Sequence, residues 1–589
     1  MKRHWLGIAA AVLVGAIYLV PHIWFLAVQS ESHQGLPLMQ SPAEDFYIAR
    51  MQEILDGHSL AGSTVFFEYK DQVPIQPPTI EFLYALPTLA FGIPLVATLT
   101  ATRFLLPVTL FLLVYFLIYR MLGGNEKARC ASALGGALLV VLGYDLVDWH
   151  TIWSYLTGAA KPAAFLIWNR PVHPVSGAIL LFAFLHFVWS MASDSQTRKI
   201  QIWGAGICWA LMIMSYFFAW GLALSVLAML GLFFLFQRDY FKIRRLALVF
   251  FLGLLFSSPY WYLSLTARQS PWYEASLLRS GLFYTHYPIF NKLLIAVLAL
   301  YVIYLAVKFF RDRGARLLET EDYFILAMLG GGIWALNQQI ITGMTVWPFH
   351  FVQYTIPFAI IAAVAMLHNL SASRPVLRLA SVALIIAASL VFGVYKQYHA
   401  YTAGITKHNR QIQNYQPALA WLAAQKKPCV ALVSGDIRQF IEFTGLVVAF
   451  THCDIYGNSW TYSLMPQERI YHTYLVNLRF RGVSSNELEE YLQKDPLAEI
   501  DAITYLSSNW AGLYDETGFP DFTDEAVSQR LSRLPEDYRE FLRRNFRAEL
   551  DKYRLDYILS FGSVASEVQE QLGGIELLTE QGPIMIYKY

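Results

Sequence analysis

Apolar runs long enough to cross a bilayer recur along this chain, and no other feature of the sequence restricts its fold so strongly. A helix needs roughly 20 apolar residues to cross about 30 Å of hydrocarbon. Runs of that kind cover residues 5–28, 102–121, 130–147, 172–191, 202–216, 219–236, 246–265, 289–309, 323–342, 349–367 and 376–395. The pattern predicts a polytopic α-helical membrane protein with about eleven spanning helices. Of the 589 residues, 56% are hydrophobic and only 15% charged, against roughly a quarter charged in a soluble chain. Lipid must be much of its solvent. A net charge of +1 gives no basic surface that could hold nucleic acid. The first run follows Met1-Lys2-Arg3 but exceeds the roughly 7 to 15 apolar residues of a signal peptide, so it reads as an uncleaved span.

Charge sets the orientation. The run 82–99 is left out of the span list because Glu81 begins it, Pro87 and Pro94 break it, and only Thr100-Ala101-Thr102 joins it to the next span. It reads as an interfacial or re-entrant helix. With the N-terminus inside, every inner loop is then basic: Arg120, Lys127 and Arg129; Arg198 and Lys199; Arg238, Lys242, Arg244 and Arg245; Lys308, Arg311, Arg313 and Arg316; Arg374 and Arg378. Counting 82–99 as a span would invert every later loop. The expectation is a multi-pass cell-membrane protein with a cytoplasmic N-terminus and an extracytoplasmic C-terminal region.

Composition divides the chain into a membrane domain, 1–395, with a long first outer loop at 29–81, and a soluble domain, 396–589. In the latter, β-rich runs at 430–433, 447–451, 556–560 and 584–587 alternate with helical patterns such as 486–493 and 536–553, which predicts a small α/β domain. None of the four cysteines has metal-ligand spacing. Cys429 and Cys453 bracket a predicted strand (429–434), helix (436–443) and strand (446–452). A right-handed parallel crossover would place them at opposite ends of neighbouring strands, and hence unbridged.

The first outer loop carries the segment from Ser41 to His58. Ser41, Pro42 and Glu44 form a capping-box pattern with Pro at the first helical position, and Gly57 fits a C-cap. Tyr47, Met51, Ile54 and Leu55 recur at helical spacing, which predicts an amphipathic helix on the outer membrane surface. Glu44 can bond back to the Ser41 amide. Asp45 then either complements the helix dipole or serves as general base on an acceptor hydroxyl. Asp145, Asp148 and His150 suit either a metal site or a helix end facing water.

The basic-tipped first span, the acidic pair, the amphipathic helix after it and the stretch Tyr69-Lys70-Asp71-Gln72-Val73-Pro74-Ile75-Gln76-Pro77-Pro78 resemble the GT-C superfamily. Its members transfer sugars from polyprenyl-phosphate carriers, and include protein O-mannosyltransferases and lipid A aminoarabinose transferases. The resemblance implies an inverting glycosyl transfer on the outer face, with Asp45 or Glu44 as base or holding a divalent metal near it. The lipid bilayer and a polyprenyl-phosphate-linked sugar would be its partners, the acceptor being a lipid, a glycan or a protein. The acids stand here as Glu then Asp, the reverse of the mannosyltransferase order, and the Trp-Trp-Asp signature of oligosaccharyltransferases is absent from the sequence. That argues against N-glycosylation.

A lipid-phosphate donor needs cations where its glycosidic bond breaks. Lys161, Asn169, Arg170 and His173 precede the fourth span, and Arg268 and Arg279 follow the seventh beside Pro271-Trp272-Tyr273. Each also fits interfacial anchoring. Gln338 and Gln339, then His350 and Gln353, add polar groups at the same depth, where a cavity is the usual reason for them. A transporter, flippase or inactive scaffold is the alternative. Apolar mid-spans and the lack of an inverted repeat favour the enzyme.

Overall fold

A computed structural model describes residues 2–28, 33–39, 44–194, 198–311, 318–458, 463–494, 496–506 and 524–589. It forms two compact units, one from Met1–Ser30, Pro94–Tyr260 and Tyr284–His408, the other from Glu31–Ile93, Trp261–Phe283 and Asn409–Tyr589. The first is a helical bundle. Eight described helices are long and apolar enough to cross a membrane, and a ninth is counted if Tyr240–Phe256 and Ser258–Ala267, bent by 56°, are one span. All eleven predicted runs fall on helices, but two of those, Glu126–Val141 with 16 residues and Lys199–Ile213 with 15, fall short of that length. Run 82–99 is divided. Thr79–Phe91 ends at Gly92, whose left-handed conformation caps the helix, and the rest extends the next helix to Leu95–Met121.

Local chemistry sets the helix ends. Asn125 and Asp239 accept hydrogen bonds from Lys127 N and Lys242 N and so start the helices Glu126–Val141 and Tyr240–Phe256. Small residues set how close the helices lie: a Cβ on Gly331 would stand 3.0 Å from Val226 N, and one on Gly253 would stand 2.2 Å from the Trp209 ring. Close backbone approach is how helices associate where hydrophobic burial gives no net gain.

The second unit is built on a five-stranded sheet. Its strands are β1 (Val430–Ser434), β2 (Asp454–Ile455), β3 (Tyr557–Phe561), β4 (Glu576–Gln581) and β5 (Ile584–Lys588). They lie in the order β2-β1-β3-β5-β4, with β1, β2 and β3 parallel and β5 antiparallel to both neighbours. All five residues of β1 are buried, as a central parallel strand requires. The first loop is part of this unit: Ile455 N donates to Val65 O at 3.1 Å, so the loop covers the edge at β2.

Two sequence expectations fail here. Cys429 and Cys453 are joined by a disulfide, with Cα atoms 4.6 Å apart. The run 447–451, taken as strand, belongs to the helix Ile437–Phe450, which Asp436 caps through the Arg438 and Gln439 amides. The next strand is therefore β2, and the Val430↔Asp454 register puts both cysteines at the same end of adjacent parallel strands. The helix Glu44–Leu55 packs within this unit against Ile437–Phe450 and Thr79–Phe91. Ile48 and Met51 are buried, as are Arg50 and Glu53 on other faces. Ser41 and Pro42 of the capping box lie outside the described residues.

Candidate active site

In the helical unit, polar side chains gather where the chain alternation puts one end of the bundle. His22 lies near the end of Trp5–Val28, Arg103 in the opening turns of Leu95–Met121, and Asn169 to His173 just before Val175–Ser193. Tyr216 precedes Phe217–Phe236, and His350 and Gln353 begin the helix ending at Leu370. Arg103, 6% exposed, donates to the backbone carbonyl of Asn169. His22 lies beside both. The buried His173 ring stacks on Tyr216 with centroids 3.8 Å apart, and Tyr354 donates to Pro174 O at 3.1 Å. His350 stacks on Trp347 at 5.5 Å, near enough to Arg170 to feel its charge. The His350 Nδ1 and Gln353 Oε1 atoms are buried without hydrogen-bond partners among the described residues. Two arginines, three histidines and two amides converging at the end of an apolar bundle are costly in lipid, and such groups mark a polar cavity.

The acids belong to the second unit. Glu44 is fully buried, while Asp45 is half-buried and its Oδ1 accepts from Phe46 N at 2.8 Å. Its Oδ2 fills the space beside Gly445, where an added Cβ would stand only 1.9 Å away. The next turns of the helix are locked by buried ion pairs. Arg50 donates to Glu81 at 2.7 Å and to Gln76 O at 2.8 Å, and Lys70 lies 2.8 Å from Glu53 and 2.9 Å from Asp454. Burial raises both carboxyl pKa values, Asp454 to about 8, while Asp454 and Glu53 together hold the Lys70 pKa above its ordinary value. The helix that begins with Glu44 and Asp45 is thus fixed to the sheet by charges from three chain segments.

The other predicted residues differ in setting. Lys161 and Arg268 are exposed. Arg279 is fully buried, donates to Gln467 Oε1 at 2.9 Å, Ser276 Oγ at 3.0 Å and Met465 O at 3.3 Å, and burial pushes its pKa down to about 10. Gln338 donates to Met344 O at 2.8 Å and accepts from Thr342 Oγ1 at 2.7 Å, closing its own loop. Asp145 pairs with Lys396, and Asp148 caps Trp149–Leu156 while accepting from Thr151 Oγ1 at 2.6 Å. Among the described residues no group of three His, Cys, Asp or Glu could hold a metal ion. The metal implied beside the first-loop acid therefore finds no donor set among the described residues. The sequence reading missed His22, Arg103 and Tyr216. For His22 and Arg103 the signal was present, an ionisable residue inside an apolar run.

No protein-family model matches the chain, and no curated protein matches it in sequence. ArnT from Cupriavidus metallidurans, solved bound to undecaprenyl phosphate, aligns over 99% of this chain and 97% of its own at 12% identity and TM-score 0.46. The archaeal oligosaccharyltransferase AglB from Archaeoglobus fulgidus, solved with an inhibitory peptide and a dolichol-phosphate, aligns over 95% of this chain and 69% of its own at 13% identity and TM-score 0.46. The Archaeoglobus fulgidus oligosaccharyltransferase solved with Zn and sulfate aligns over 99% of this chain and 88% of its own at 12% identity, with a TM-score of 0.50. The chain thus has the fold of the Archaeoglobus fulgidus oligosaccharyltransferase.

Proposed function

We propose that this protein transfers a sugar from a polyprenyl-phosphate carrier to an acceptor hydroxyl on the extracytoplasmic face, with inversion at the anomeric carbon. The observation that carries the reading is the convergence of Arg103, Asn169, Arg170, His173 and His350 at one end of an otherwise apolar bundle. In this reading Arg170, with His173 and His350 beside it, takes the charge that grows on the leaving phosphate. Lys161 and Arg268, both exposed, meet the incoming donor, and Arg279 fixes the segment that carries Arg268. The Asp45 carboxylate removes the acceptor hydroxyl proton. The acceptor oxygen then bonds to the anomeric carbon as the bond to phosphate breaks, and polyprenyl phosphate leaves with the electron pair. Attack opposite the leaving group inverts that carbon. The basic inner loops favour an extracytoplasmic second unit, and a disulfide suits that compartment.

The test is transfer from a polyprenyl-phosphate sugar by purified protein in detergent, with folding checked by thermal unfolding. Asp45→Asn should cut turnover by roughly 10² to 10⁴ with the fold intact, the usual cost of losing proton transfer. Normal turnover in Asp45→Asn beside a dead Glu44→Gln would move the role to Glu44. Normal turnover in both would remove the first-loop acids from the reaction.

A further inference from the structure

The second unit contains a cavity that the transfer reading does not use. It has a volume of about 480 Å³ and lies outside the carboxyl ends of β1 and β3, adjacent parallel strands. The chain leaves β1 for β2 on one side and leaves β3 for β4 and β5 on the other. That makes the crevice between β1 and β3 a topological switch point, the place where open α/β sheets take ligands. Its volume falls in the range of small-molecule sites, roughly 300–1,000 Å³.

The lining decides the ligand class. The Arg481 side chain is 7% exposed, lines the cavity and is paired with Asp501 at 3.2 Å through Nη1, which also donates to Tyr491 at 3.2 Å. Its Nη2 is buried with no hydrogen-bond partner among the described residues. The site is therefore built around a donor that no described residue satisfies, on a cation whose charge is already matched. The helix N-terminus at the rim is also taken, since Asp436 Oδ1 accepts from the Arg438 and Gln439 amides at 2.9 Å each. Neither free positive charge nor free amides remain for an anion, and the Asp436 carboxylate would repel one. What remains are groups that donate and accept, the hydroxyls of Ser434, Ser560 and Ser563 and the Gln439 amide, beside the rings of Phe480 and Phe561. Neutral polyhydroxylated molecules need that mixture of hydroxyl-matching polar groups and apolar ring faces.

We infer that the cavity between the carboxyl ends of β1 and β3 binds a neutral saccharide, with Arg481 Nη2 donating to a sugar hydroxyl. This inference goes beyond the transfer reading and stands without it, because binding is read with no lipid donor present. The test is saturation-transfer NMR on the full chain in a detergent without a sugar headgroup, lauryldimethylamine oxide. The probes are glucose, galactose, N-acetylglucosamine and their disaccharides, with inorganic phosphate and glucuronate as anions. At least one neutral probe should receive saturation. Ala565→Trp, a change on the exposed rim, should abolish it. Arg481→Gln should weaken binding about tenfold, the scale of one hydrogen bond. Should that variant fail to fold because Asp501 loses its partner, Ser560→Val must show a similar weakening. Silence from every neutral probe, unchanged binding in Ala565→Trp, or preference for either anion would overturn the inference.

Discussion

Gly445→Ala sets helix propensity against packing. Gly445 lies inside Ile437–Phe450, where replacing Gly by Ala ordinarily gains about 1 kcal/mol. The new Cβ, however, would stand 1.9 Å from Asp45 Oδ2 and 2.9 Å from its Cγ, against 3.4 Å for ordinary contact. The carboxylate must retreat by about 1.5 Å to relieve this. Its other oxygen holds Phe46 N at 2.8 Å, and giving up that hydrogen bond costs about 1 kcal/mol. The two terms nearly cancel, so the melting temperature should move by no more than a few degrees. Activity has no such compensation. A base displaced by more than about 1 Å loses on the order of 10²-fold in rate. Thermal unfolding and turnover with a polyprenyl-phosphate sugar, measured on one preparation, separate the effects. A Gly445→Ala protein that is more stable and fully active would refute the placement of Asp45 as the base.

Other perturbations test the frame around that acid. Lys70→Met leaves the oxygens of Glu53 and Asp454 buried without their shared donor and should cost about 1–3 kcal/mol; a near-native melting temperature would contradict the buried contact. Burial pushes the Asp454 carboxyl from its ordinary 3.8 up to about 8 and raises that of Glu53, so both favour the fold while protonated. Stability of this unit should therefore fall as pH rises from about 4 toward 8, and a melting temperature that climbed across that window would count against it. Cys453→Ser opens a link spanning 24 residues and should cost about 3 kcal/mol; unfolding unaffected by a reductant would argue that the bridge does not form in solution. A reporter fused after Tyr395 should read extracytoplasmic, and a cytoplasmic signal would reverse the charge argument.

The apolar runs made the bundle legible, because crossing lipid imposes length and composition on every span. The α/β character of the last third was legible for a similar reason, in the alternation of β-branched runs with helical patterns. The register within it was not. Val447 and Val448 read as strand, yet Asp436 and Gln439 form a reciprocal cap that starts a helix running through them. Weighing that cap above β-propensity would have placed Cys453 beside Cys429. Lys70, Glu53 and Asp454 left no local trace, since their pairing depends on residues far apart in sequence. Asp45 was legible as a first-loop acid, but nothing near it in sequence pointed to Gly445.

The second unit takes in Glu31–Ile93 and Asn409–Tyr589, and this constrains how the chain can be made. Translation runs at about 5–20 residues per second, so the first segment waits on the order of tens of seconds for the one that completes it. During that interval Lys70 and Glu53 exist without Asp454, and Val65 without the strand it meets. The helix bearing Glu44 and Asp45 can reach its final setting only after the helix Ile437–Phe450 has emerged. A fragment beginning at Asn409 would inherit the converse defect, an Asp454 that must be buried with no lysine to receive it. Release of a competent protein is thereby tied to completion of its last third.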